Sequence, residues 1–183
     1  KDGEKNRIIN GNCDWVYEEE FSFTRAFEWS KDSRFLAWYR FDETQVPQYT
    51  MTKYNGLYPE QYTYKYPKAG ELNSVVQIRI HDLKLQRSII ADIGQEPDQY
   101  IPRIQWTQDN NKLCVMRMNR HQNKLEFLQT DLSQSVPFSI DTKIIFSETA
   151  PTYIDISDAL TFLKDGSFIW MSERNEYNHL YLF

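Results

Sequence analysis

A short pattern that occurs three times along the chain constrains its fold more than any other feature. Each copy has an aromatic residue, a polar turn with Asp at the fourth position, and then an apolar segment; the copies are residues 29–36, 106–113 and 162–169. Asp, Asn, Ser and Gly favour tight reversals, because their side chains bond nearby backbone or because they tolerate positive φ. The pattern predicts three tight turns, each joining two β-strands.

A second apolar segment follows each turn at a distance. Val76, Ile78 and Ile80 alternate with polar residues, as a half-buried strand requires, and similar segments at 125–132 and 179–183 are expected to be the outer strands of their copies. Repeated short antiparallel strands, each set too small to bury a core alone, are typical of propeller blades. The sequence predicts an all-β fold: about three consecutive four-stranded antiparallel blades, forming part of a β-propeller.

Composition excludes several classes of partner. The 183 residues suffice for a domain with a core, and 15% aromatic residues favour strands. A net charge of −5 gives no electrostatic footprint for nucleic acid, and no apolar run approaches the ~18 residues of a membrane helix. We therefore expect no nucleic-acid partner and no membrane span in this segment.

Because the chain starts at Lys and ends in an apparent strand, we expect it to be a piece of a longer protein.

Few residues qualify as metal ligands or catalytic groups. Cys13 and Cys114 are predicted to be separate free thiols, because no framework of several cysteines is present. His81, His121 and His179 lie near predicted strand ends or turns without metal-ligand spacing. The nucleophile motif Gly-x-Ser-x-Gly does not occur in the sequence. We therefore predict no metal, no cofactor and no catalytic residue in this segment.

A run of three glutamates at 18–20 follows Asp14, Trp15 and Tyr17. Three adjacent acids are most often a solvated surface or the first turn of a helix. Here Asp14 can cap a short helix, with Trp15 and Tyr17 as its anchors. We expect this short helix to carry the glutamates.

The local structure decides which glutamates can act together. On a strand, Glu18 and Glu20 would share a face, whereas on a helical turn Glu19 and Glu20 would be about 100° apart. The sequence alone leaves both pairs open.

The acidic run and the segments after it resemble the N-terminal propeller of the dipeptidyl peptidase IV family. The shared order runs from about residue 14 to residue 76 and includes residues 27–32, 41–47 and 66–70. The resemblance implies that Glu19 and Glu20 hold the free amino terminus of a peptide substrate, with Glu18 turned away. It also implies a serine exopeptidase that releases N-terminal dipeptides with proline or alanine second. Its catalytic α/β-hydrolase domain would lie outside this segment, which alone should be inactive.

Paired carboxylates suit the recognition of a peptide amino terminus. The α-amino group has a pKa near 7.7–8 and is largely an ammonium ion at neutral pH. Two converging carboxylates repel each other until a cation relieves the repulsion. A substrate without a free amine would leave both acids unpaired, which is costly.

An insertion at residues 45–73 separates the first turn from the strand after it. It holds three prolines and six tyrosines, of which Tyr62, Tyr64 and Tyr66 alternate as on one face of an extended ribbon. The insertion either packs on its own blade or, as the resemblance implies, forms an arm that reaches the partner subunit of a homodimer.

Other functions stay open at this point. A propeller that only binds proteins, or a tripeptide-releasing relative, would also carry acids at its rim. A glycosidase is disfavoured, because its two acids must stand about 5 Å or more apart across a sugar. Residues 153–158 correspond to a substrate pocket wall in the family but do not match its pattern. The resemblance further implies a location outside the cytoplasm, in the periplasm or at the cell surface.

Overall fold

A computed structural model describes residues 2–133 and 140–183 of the chain. Within them, fifteen strands and one short helix make the fold almost entirely β. Three antiparallel sheets follow one another along the chain, and a two-stranded hairpin forms a separate sheet. This arrangement of consecutive blades confirms the predicted all-β, partial-propeller fold.

The first sheet contains the helix and the hairpin as insertions. Its elements are β1 (Ile8–Asn10), α1 (Trp15–Phe21), β2 (Phe27–Trp29), β3 (Phe35–Asp42), β4 (Gln48–Lys53), β5 (Glu60–Lys65), β6 (Val75–Asp82) and β7 (Arg87–Ile90). Both β1 and β2 pair with β3, β1 along its C-terminal part and β2 along its N-terminal part. Together they occupy one strand position, so the sheet has four positions, in the order β1/β2, β3, β6, β7.

The second sheet repeats this plan. Its elements are β8 (Gln99–Tyr100), β9 (Ile104–Trp106), β10 (Lys112–Asn119), β11 (Lys124–Asp131) and β12 (Asp141–Thr149). Again two short strands, β8 and β9, share one position beside β10, and β11 and β12 follow. The third sheet has three strands in the described part of the chain: β13 (Thr161–Phe162), β14 (Phe168–Ser172) and β15 (His179–Leu182).

The three predicted turns are confirmed, and each uses its Asp in the same way. Asp32 accepts a hydrogen bond from the Arg34 amide at 3.1 Å. Asp109 accepts from the Asn111 amide, and Asp165 from the Ser167 amide, both at 3.0 Å. Each Asp bonds the residue two positions later and so holds the reversal between two strands.

The prediction that 76–83 and 125–132 form outer strands is wrong. They correspond to β6 and β11, which lie third in their sheets, with β7 and β12 outside them. An edge strand has a neighbour on one side only and is more exposed, so its apolar alternation is weaker. Ile90 at the end of β7 and Ile144 in β12 are accordingly exposed.

Aromatic side chains join the sheets to each other. Phe35 of the first sheet stacks on Trp106 of the second with ring centroids 5.6 Å apart. Phe127 of the second sheet meets Trp170 of the third at 5.1 Å. Cys13 and Cys114 are buried in this core as free thiols, as predicted. In the described residues, no helix is long and apolar enough to cross a lipid bilayer.

Candidate functional site

Helix α1 is a seven-residue excursion between β1 and β2. Asp14 caps its start, as predicted: one carboxylate oxygen accepts from the Tyr17 amide at 3.0 Å, and the other accepts from the Ser74 hydroxyl at 2.6 Å. Burial raises the pKa of Asp14, while these two hydrogen bonds favour its carboxylate form. Ser22 follows the last residue of the helix, and its left-handed φ of 55° stops the helical turn.

Tyr17 anchors the helix in the core, as predicted. Its hydroxyl oxygen accepts a hydrogen bond at 2.8 Å from the amide of Ile101, which lies between β8 and β9 of the second sheet. Its ring lies 4.8 Å from Phe41 in the first sheet and 6.0 Å from Tyr100 in the second. The helix is therefore fastened where the first two sheets meet.

The three glutamates of α1 are all exposed at the surface. Because the segment is helical, consecutive side chains point about 100° apart, and the strand alternative that pairs Glu18 with Glu20 is wrong. Glu20 lines a cavity of about 490 Å³ and accepts a hydrogen bond from the Gln122 side-chain amide. Glu19 precedes it on the same turn.

The other walls of this cavity come from connections within the second sheet and from the segment between the second and third sheets. Arg103, Arg120 and His121 line it, together with Tyr153 and neighbouring residues. Both arginines already have acidic partners: Arg103 pairs with Asp158, and Arg120 with Asp98, each at 2.7 Å. Both cations that line the cavity therefore already have an acidic partner.

The glutamates of α1, in contrast, keep their charge available. Among residues 2–133 and 140–183, no basic side chain lies within 4.0 Å of the carboxylates of Glu18, Glu19 or Glu20. Adjacent exposed acids without a fixed counter-ion create a negative potential at this surface, and Glu20 borders the cavity. A ligand cation is the natural partner for such a potential.

Sequence reasoning missed the residues that surround the glutamates. Gln122 bonds Glu20 across 102 residues of sequence, and Arg103 donates to the carbonyl of Phe21, the last residue of α1, across 82. No local pattern marks these side chains, because only the packing of one sheet on the next brings them to the helix. His121 also lines the cavity, although its sequence position indicated only a turn.

The insertion forms a hairpin with an anchored base and an exposed tip. Tyr62, Tyr64 and Tyr66 share one face, as predicted, with successive ring centroids 5.4 Å and 5.9 Å apart. At the base, the ring of Tyr66 packs on Trp15 of α1 with centroids 4.2 Å apart. At the tip, Leu57 is 98% exposed. The base thus belongs to the surroundings of the helix, whereas the tip is free for a contact.

Comparison with known proteins identifies the family of this chain. The family model described as the dipeptidyl peptidase IV N-terminal region matches residues 1–183. The crystal structure of Porphyromonas gingivalis dipeptidyl peptidase 4 superposes with a TM-score of 0.89 and 40% identity, covering 100% of this chain and 26% of that one.

Two curated relatives extend the comparison. A probable dipeptidyl-aminopeptidase B of Tuber melanosporum is 38% identical over 149 residues, which is 73% of this chain and 16% of the relative. The inactive dipeptidyl peptidase 10 of Mus musculus is 30% identical over 197 residues, covering 99% of this chain and 24% of the relative. The chain thus spans about a quarter or less of the proteins it matches. It belongs to the dipeptidyl peptidase IV family and corresponds to part of that family's N-terminal β-propeller region.

Proposed function

We propose that this segment binds the free amino terminus of a peptide substrate through Glu19 and Glu20, within a serine exopeptidase that releases N-terminal dipeptides. The observation that supports the proposal most is the placement of α1. The helix is fastened between two sheets by Tyr17, its acids are exposed, and Glu20, which follows Glu19, lines a cavity. A location outside the cytoplasm is proposed on the family resemblance alone.

A rigid helix makes the acidic pair useful for measuring position along a peptide. If the ammonium group is held at α1, the bond to be cut lies at a fixed number of residues from it. Holding the substrate in this orientation speeds cleavage, because the reacting groups stay in place. The cleaving groups themselves are assigned to an α/β-hydrolase domain, as in the resembled family.

The proposal is tested by changing the charge of the substrate amine in the full-length protein. N-acetylation of a dipeptide substrate should lower kcat/KM by about 100-fold or more, because the acids lose their cationic partner. N-methylation, which adds bulk but keeps the positive charge, should cost far less. Steady-state kinetics with the three substrates measures both effects.

The opposite result would favour a propeller that binds proteins without catalysis. The inactive mouse relative matches nearly the whole chain, so membership of the family does not by itself imply turnover. Equal rates with acetylated and free-amine substrates would contradict amine recognition. Absence of any turnover by the full-length protein would favour the non-catalytic alternative.

We also propose that the hairpin contacts a second copy of the protein, as the resemblance implies. Its tip presents Leu57 and Tyr58 at 98% and 84% exposure, an apolar surface that a symmetric contact would cover. Replacing both by lysine should shift the full-length protein from dimer to monomer, since like charges would face each other across the contact. Sedimentation velocity measures the shift.

A lysine placed elsewhere on the surface provides the control for that experiment. Leu85 is also exposed, but it lies in the turn between β6 and β7, away from the hairpin. Leu85→Lys should leave the dimer intact. A tip variant that sediments like the wild-type protein would show that the hairpin does not hold the two copies together.

A further inference from the structure

The chain that returns from the hairpin to β6 runs along the start of the glutamate helix. We call residues 66–74 the return segment. At one end, Tyr66 packs on Trp15, the first residue of α1, at 4.2 Å between ring centroids. At the other end, the Ser74 hydroxyl donates to Asp14, the cap of the helix, at 2.6 Å. The return segment therefore holds the helix start at two consecutive residues.

The same segment also reaches the second sheet. The side-chain amide of Asn73 donates to the Tyr100 hydroxyl at 2.9 Å. The guanidinium of Arg120, which lines the cavity beside Glu20, donates to the Glu71 carbonyl at 3.1 Å. The return segment thus connects the helix start to Arg120 in the wall of the cavity that Glu20 lines.

Ser74 is the contact whose loss matters most to the helix. Ser74 and Asp14 are only 3% and 5% exposed, so water cannot easily replace the hydroxyl. Without it, one oxygen of Asp14 would be buried without this donor, which is unfavourable for a carboxylate. The cap bond to the Tyr17 amide would weaken as the acid becomes easier to protonate, and the first turn of α1 would loosen.

We propose that the return segment positions the amine-binding carboxylates, with Ser74 as its principal positioning residue acting through the Asp14 cap. The inference rests on the proposed function of Glu19 and Glu20. It extends the site to a residue 60 positions away in sequence that touches no substrate.

The test compares two buried serines with equivalent bonds in the full-length protein. Ser172 is 4% exposed and donates to Glu148 at 2.5 Å, a bond that joins β14 to β12 and not to α1. Ser74→Ala should raise KM for a free-amine dipeptide substrate about fivefold with little change in kcat, because binding is weakened equally in the ground and transition states. Ser172→Ala should leave KM unchanged. Ser74→Thr, which keeps the hydroxyl, should have a KM close to that of the wild-type protein.

Amide hydrogen exchange over residues 15–21 provides a readout independent of activity. Ser74→Ala should speed exchange in α1, whereas Ser172→Ala should not. If Ser74→Ala and Ser172→Ala had the same KM and the same exchange rates in α1, the proposal would be overturned. Faster exchange with an unchanged KM would also overturn it. Glu19→Gln in the same assay would then tell whether the proposed function fails as well.

Discussion

Replacing Glu19 or Glu20 by alanine in the full-length protein should lower kcat/KM for free-amine dipeptide substrates by about 100-fold or more. Each acid supplies half of the negative charge that holds the ammonium group, and the remaining acid alone at an exposed site would hold it weakly. Neither side chain is buried, so both variants should stay as stable as the wild-type protein. The loss of kcat/KM then reflects weaker substrate binding and not unfolding. Steady-state kinetics with the purified variants measures it.

Glu18 is the matched control within the same helix. It is also exposed, but unlike Glu20 it does not line the cavity, and the proposed function gives it no contact with the substrate amine. Glu18→Ala should retain near-normal kcat/KM. All three variants should unfold within about 0.5 kcal/mol of the wild-type protein, as surface substitutions do. Full turnover in both the Glu19 and Glu20 variants would remove the basis for amine recognition.

Tyr17→Ala is expected to be the most destabilising change in the site, costing about 3–5 kcal/mol of unfolding free energy. The ring is 1% exposed and fills the space between the first two sheets, so its removal leaves a cavity. The Ile101 amide would also lose its acceptor. Denaturant unfolding of the full-length protein, followed by tryptophan fluorescence, measures the cost.

Tyr17→Phe separates the ring from the hydroxyl. It keeps the packing but removes the acceptor of the Ile101 amide, which should cost about 1 kcal/mol. Comparable stability of the alanine and phenylalanine variants would show that the ring does not hold α1 in place. In that case another contact, such as the bond from Arg103 to the Phe21 carbonyl, would have to fasten the helix.

The local features of this chain were predictable from sequence because they depend on neighbouring residues. The turns at Asp32, Asp109 and Asp165 follow from hydrogen bonds spanning two residues. The helix start follows from the Asp14 cap, which spans three. Both kinds of contact leave a direct signal in the order of residue types.

The edge strands and the cavity were not predictable in the same way. Edge strands such as β7 lack a strong apolar alternation, because one side of the strand has no neighbour. The partners of the helix, Gln122 and Arg103, come from the second sheet, whose position depends on long-range packing. Assigning Glu19 and Glu20 therefore needed the family resemblance, since three exposed acids in a row carry no such meaning alone.

The central claim is that Glu19 and Glu20 recognise the positive charge of a peptide amino terminus. The most direct test measures the Kd of a free-amine dipeptide inhibitor and of its N-acetylated form, by calorimetry, for the full-length protein and its Glu19→Gln/Glu20→Gln variant. We predict that acetylation weakens binding about 100-fold in the wild-type protein but less than about threefold in the variant. An equal acetylation effect in both proteins would contradict the claim.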